Sequence, residues 1–153
     1  MRVRPVAATI VSLATLALAT GAAFNDRPSP GPSPDSATAY AWAIDVERAH
    51  AGLPPLTVDP VVSAQAQQWS LTMAAFSTLR EDPAYGAKTA AVDPTWQGAG
   101  ENIGVGATVT SIEGALMASP PHRANILGAW TRMGIGVYVD SGGRVWVTER
   151  FYR

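Results

Sequence analysis

Residues 133–151 constrain the fold more than any other stretch. Met133, Ile135, Val137 and Val139 alternate with Gly134, Gly136, Tyr138 and Asp140. After Ser141-Gly142-Gly143, Val145, Val147, Glu149 and Phe151 alternate with Trp146, Thr148 and Arg150. Period-two alternation on both sides of a Gly-Gly turn predicts a β-hairpin. Upstream the period is helical. Trp42, Val46, Ala49 and Leu53 mark one face of a helix over residues 37–52, ended by Gly52 and Pro54-Pro55. Asp59 caps a second helix and Pro60 suits its first turn. Val62, Ala66, Trp69, Met73 and Phe76 form its apolar stripe. Residues 80–100 are rich in Asp, Pro and Gly and read as loop. Thr110-Ser111-Ile112-Glu113 matches a capping box and starts a third helix ending before Pro120-Pro121. A short helical turn follows over 125–127. Helices first and a hairpin last, without strict β-α alternation, predict an α+β fold with an antiparallel sheet.

The N-terminus is organised differently. Arg2 and Arg4 precede an uncharged apolar stretch from Val6 to Phe24, the layout of a secretory signal peptide. Gly21 and Ala23 supply small residues for cleavage, so residues 1–23 are read as the signal peptide. A retained signal anchor is the alternative, since the stretch is nearly long enough to span a bilayer. Residues 24–36 contain Asn25-Asp26-Arg27-Pro28-Ser29-Pro30-Gly31-Pro32-Ser33-Pro34, a Pro/Ser-rich linker. The folded domain is placed at 37–153, outside the cytoplasm in either case.

Composition narrows the function classes. Loss of the signal peptide would leave nine basic residues against twelve acidic ones, a formal −3. That balance argues against nucleic acid and leaves no polybasic patch for anionic lipid, so membrane contact is expected only through an uncleaved signal segment. The chain has no cysteine, which removes disulfides, thiolate metal sites and a Cys nucleophile.

Few residues suit chemistry. Of the two histidines, His50 falls late in the first helix and reads as surface. His122 lies in S-P-P-H-R-A-N-I-L, presented by prolines, and Glu101 lies in G-A-G-E-N-I-G beside apolar residues. A carboxylate there needs a partner if buried, and His122 is the expected one. Gly98, Gly100, Gly104 and Gly106 do not match a phosphate loop, and no Walker lysine follows. Ser119 lacks the G-x-S-x-G context of a hydrolase nucleophile.

G-E-N-I at 100–103, S-P-P-H-R-A-N-I-L at 119–127, G-I-G-V at 134–137 and V-W-V-T-E-R-F at 145–151 together resemble the CAP superfamily of cysteine-rich secretory, antigen-5 and pathogenesis-related proteins. E-R-A-H-A-G-L-P-P-L at 47–56 and V-D-P-V-V-S-A-Q-A-Q-Q-W at 58–69 are similar to the first two helices of its small, cysteine-free bacterial SCP-type members. The resemblance covers about residues 39–152. It implies an α-β-α sandwich with helices on both faces of a small antiparallel sheet. It also implies secretion and, in many members, a cavity lined by two His and two acidic groups. In some members that cavity binds a divalent cation, and others bind sterols or fatty acids in hydrophobic grooves.

Carried over by position, Glu101 and His122 match the cavity Glu and His. Glu81 stands where a second His usually precedes a D-P-x-x-G segment, here Asp82-Pro83-Ala84-Tyr85-Gly86. Ser119 falls near the second cavity Glu, and Asp45 stands where Asn is usual. One imidazole with Glu81 and Glu101 makes an oxygen-rich set, expected to bind a divalent cation weakly if at all and to favour magnesium or calcium over zinc. No cofactor is expected to be required. The resemblance points to a secreted, monomeric, non-enzymatic binding module for a small apolar ligand, an envelope component or a protein partner. The alternative is a peptidase- or esterase-like hydrolase using His122 with Glu101 or Glu81.

Overall fold

The computed structural model describes residues 34–153, so the signal-peptide reading and most of the linker lie outside the described residues. The elements are α1 (Pro34–His50), β1 (Thr57–Val58), α2 (Pro60–Ala75), α3 (Tyr85–Val92), β2 (Ala99–Gly106), α4 (Val109–Ala118), α5 (Pro120–Ile126), β3 (Arg132–Val139) and β4 (Val145–Tyr152). The first helix opens at Pro34, inside the stretch read as linker.

The strands form one sheet in the order β1-β3-β4-β2. The β3–β4 hairpin pairs Met133 with Phe151 and Val139 with Val145 in antiparallel register, as the alternation requires. The β2–β4 pair is antiparallel too. Only the two-residue β1 runs parallel to its neighbour β3.

Helices cover both faces, giving the α-β-α sandwich. On one face Tyr40 and Ile44 of α1, Ile112 and Leu116 of α4 and Ile126 of α5 pack on Ile135, Val137, Val147 and Phe151. On the other, α2 lies directly on β3. The G-I-G-V motif makes that approach possible. A Cβ on Gly134 would sit 2.5 Å from the Val62 carbonyl carbon, and one on Gly136 would collide with the Ala66 backbone. Glycine is needed at both places because helix backbone occupies the side-chain volume. Ser70 adds polar contacts there, donating to the Gly136 carbonyl at 3.1 Å and meeting the Thr148 hydroxyl at 2.9 Å. The outer edge of β3 is covered by α2 side chains: the Ile135 amide donates to Ser63 Oγ and the Val137 amide to Gln67 Oε1.

Four local expectations are corrected. The inward face of α1 is Tyr40, Ala41, Ile44 and Arg48, and Trp42 is 70% exposed. Arg48 explains the misreading, because apolar periodicity does not count a buried guanidinium. It donates to the carbonyls of Pro54, Ile126 and Gly128 and ties α1 to the end of α5. On α2, Asp59 caps as expected, accepting from the Val61 and Val62 amides. Phe76 leaves the stripe and is 68% exposed, since the helix ends there. Residues 85–92 form α3 rather than loop, anchored by buried Tyr85 and Thr89. The cap of α4 is Thr108, not Thr110. Its hydroxyl accepts from the Ser111 amide, and Ser111 Oγ accepts from the Thr108 amide.

Candidate functional site

The central strand β4 is buried along its whole length yet carries Glu149 and Arg150 side by side. Consecutive strand residues face opposite ways, so two polar clusters stand back to back through the sheet.

On the α2/α3 face, Arg150 is 0% exposed. Its Nε donates to Glu101 Oε2 at 2.8 Å and its Nη2 to Asp82 Oδ2 at 2.6 Å. Register puts Glu101 directly opposite Arg150 on β2. The Asp82 amide donates to Glu101 Oε1 at 2.8 Å, and Lys88 Nζ donates to Asp82 Oδ2 at 2.5 Å. The guanidinium carbon lies 4.6 Å from the centre of the Tyr85 ring. Two buried carboxylates are thus balanced by buried Arg150 and by Lys88, whose side chain reaches in from the solvent side, and buried charge requires such pairing. Burial still leaves the Glu101 carboxyl above its usual range, although Arg150 pulls it down. For Asp82 the cost of burial is outweighed by Lys88, the Ala84 amide and Arg150, which hold the carboxyl below its usual range.

On the α1/α4/α5 face, Glu149 Oε1 accepts from the Tyr40 hydroxyl at 2.7 Å and Oε2 from Asn102 Nδ2 at 2.9 Å. Asn102 Nδ2 also donates to the His122 carbonyl at 3.1 Å, and Asn102 Oδ1 accepts from Asn125 Nδ2 at 2.8 Å. Tyr40 and Glu149 border the carboxyl of Glu113, whose two buried oxygens form no hydrogen bond of good geometry among the described residues. Burial, and then the neighbouring Glu113, pushes Glu149 well above the carboxylate range; burial raises Glu113 as well.

The residues singled out by sequence are divided between these clusters. Glu101 binds Arg150 and the Asp82 amide. His122, fully buried on α5, has its Nδ1 2.8 Å from Ser119 Oγ, the residue that begins the same helix. The expected Glu101–His122 pair is therefore replaced by two separate contacts. The cause is strand alternation: on β2, Asn102 takes the α5 face, and Glu101 takes the opposite one. Glu81 is half-buried next to Asp82, raised by burial, with Oε1 lacking a hydrogen-bond partner among the described residues. Asp45 Oδ1 accepts from the Leu56 amide, and His50 is exposed near Glu47.

These donors do not fit a divalent cation. Arg150 already neutralises Glu101, and among the described residues no three His, Cys, Asp or Glu side chains are grouped to hold a metal ion. Sequence reasoning gave no site role to Arg150, Glu149 or Tyr40, and assigned Glu113 to a capping box instead. The available signal was the adjacent charged pair in an otherwise apolar strand.

A concavity lies away from both clusters. A groove of about 720 Å³ runs between α1 and α2 along the outer edge of β3, walled by Ala41, Trp42, Val58, Pro60, Ala64 and Ile135. A second cavity of about 420 Å³ between α1 and α4 includes Tyr40, Trp42, Glu47, Val109, Glu113 and Met117. No helix among the described residues is long and apolar enough to cross a membrane.

Comparison with known proteins agrees with this architecture. An outer surface protein of Borrelia burgdorferi superposes with a TM-score of 0.72 at 13% identity, covering 82% of this chain and 98% of its own. A cysteine-rich secretory protein of Staphylococcus aureus gives 0.68 at 22% identity over 87% of this chain. An extracellular SCP-domain protein of Bacillus anthracis gives 0.66 at 23% identity over 79%. The alignments span 42% and 44% of those last two chains, respectively. No curated protein sequence matches. The family model described as CAP, cysteine-rich secretory protein family, matches residues 43–151, which takes in every strand but the last residue of β4, both polar clusters except Tyr40, and the glycines under α2. The chain belongs to the cysteine-rich secretory protein (CAP) family.

Proposed function

We propose that the domain acts outside the cytoplasm as a non-enzymatic binding module for a small apolar ligand, held in the groove between α1 and α2. The observation that carries this reading is Trp42. A tryptophan 70% exposed on the wall of an apolar groove of about 720 Å³ takes no part in the packing of the sandwich among the described residues. Pockets of roughly 300–1,000 Å³ suit small-molecule ligands. Nearby Val58 and Val61 are also exposed and widen the apolar surface. Burying a large apolar side chain is worth about 1.5–3 kcal/mol, so a few such contacts with an acyl chain give measurable affinity. The Borrelia and Bacillus neighbours, described as outer surface and extracellular proteins, support a location outside the cell. The hydrolase reading is weaker because Glu101, its expected assistant to His122, is held by Arg150.

The test is uptake of a fluorescent fatty acid by the purified domain. Saturable one-to-one binding is expected, with energy transfer from tryptophan that falls when Trp42 is changed to Phe. Ala64→Trp, which fills the groove from α2, should weaken binding at least tenfold. Undiminished binding by Ala64→Trp would exclude the groove.

A further inference from the structure

The α3-face cluster is organised around a positive charge that belongs to the chain itself. Arg150 bridges Glu101 Oε2 and Asp82 Oδ2 at 2.8 and 2.6 Å, and both carboxylates are nearly fully buried. The other oxygen of each is used by backbone: Glu101 Oε1 by the Asp82 amide, Asp82 Oδ1 by the Ala84 amide. Lys88 adds a second cation on Asp82. A dipositive ion entering here would leave the cluster with an uncompensated excess of positive charge in a buried site. Burial makes such an excess expensive.

We infer that the Arg150 guanidinium occupies the place of a bridging divalent ion, so that the Asp82–Glu101 pair is closed to metal in this chain and becomes a cation site once the guanidinium is removed. The substitution also defines the ion. Asp82 and Glu101 offer oxygen atoms only. An oxygen-only set of irregular geometry suits calcium best, tolerates magnesium less well because magnesium demands a near-ideal octahedron, and offers zinc neither nitrogen nor sulfur. The register supports the exchange. Arg150 and Glu101 face each other across β2–β4, so losing the guanidinium leaves space between the two strands' side chains rather than at the surface.

The experiment is thermal unfolding of the wild type and of Arg150→Met, each in EDTA and in 10 mM calcium, magnesium or zinc chloride, with sodium chloride at matched ionic strength as control. The wild type should shift by less than about 1 °C between EDTA and calcium. Arg150→Met, which fills volume without charge, should be strongly destabilised in EDTA. Calcium should restore about 3–6 °C, as expected for a site with a dissociation constant near a millimolar. Magnesium should restore less, and zinc no more than magnesium. Glu101→Gln/Arg150→Met, with one carboxylate removed, should be more stable than Arg150→Met in EDTA and lose the calcium response. The inference is overturned if the wild type responds to calcium beyond the ionic-strength control. It is equally overturned if Arg150→Met gains nothing from calcium, whether it folds without it or fails to fold with it.

Discussion

Glu113 shows how one side chain sets a pH dependence. Its carboxyl is buried, lies beside Tyr40 and Glu149, and receives no hydrogen bond of good geometry among the described residues. Burial raises both Glu113 and Glu149 above their ordinary range, so the folded state holds protons there that the unfolded chain releases. Stability from these groups is therefore fully present below the ordinary glutamate pKa and declines as pH rises through the raised values. Asp82 works in the opposite direction, because its depressed carboxyl contributes stability that is lost only in acid. Glu113→Leu removes one buried carboxyl without leaving a donor unpaired. It should stabilise the domain at pH 8 by about 1–2 kcal/mol and flatten the alkaline decline. Thermal melts from pH 5 to 9 check this, and equal pH slopes in the two proteins would contradict it. None of this was legible in the sequence. Glu113 looked like part of a capping box, and Glu149 like one member of the run it shares with Val145, Val147 and Phe151.

At the scale of elements, legibility followed the strength of the period. The hairpin could be read because β3 and β4 alternate on both sides of one Gly-Gly turn. The second helix could be read because Asp59-Pro60 is an unambiguous start. The third failed by two residues at its cap, since Thr108 and Thr110 both precede a suitable partner and only backbone conformation chooses between them. Here Thr108 is extended and its hydroxyl reaches the Ser111 amide. Thr108→Ala should therefore cost about 1 kcal/mol, while Thr110→Ala, at an exposed helical position, should be neutral or stabilise by a few tenths of a kcal/mol. Urea unfolding of the two variants decides between the two caps. Helix α3 was missed because Pro83 precedes it, Gly86 lies in its first turn, and its anchors, Tyr85 and Thr89, are too few to show a period.

For the whole molecule, the order β1-β3-β4-β2 makes β4 the strand with a full-length partner on each side. Every residue of β4 is buried, whereas both residues of β1 are exposed. Amide hydrogen exchange should follow this gradient, slowest at β4 and fastest at β1, with the β4 amides exchanging only through global unfolding. Faster exchange in β4 than in β2 would mean that the two helical layers separate before the sheet opens. The layered fold was foreseeable from the family motifs. The division of Glu101 and His122 between the layers was not, because it depends on which of two adjacent residues on β2 points toward α5.

The manner in which α2 seats on β3 bears on how the protein survives at high concentration. β1 pairs with only two residues of β3, which leaves most of that strand at the margin of the sheet. An open margin is a template for pairing with another molecule. Here Ser63 and Gln67 reach down from α2 and accept the Ile135 and Val137 amide protons, so the donors that an incoming strand would need are already spent. The helix thereby serves as a guard against edge-to-edge polymerisation, in a chain with no cysteine to lock its sheet shut.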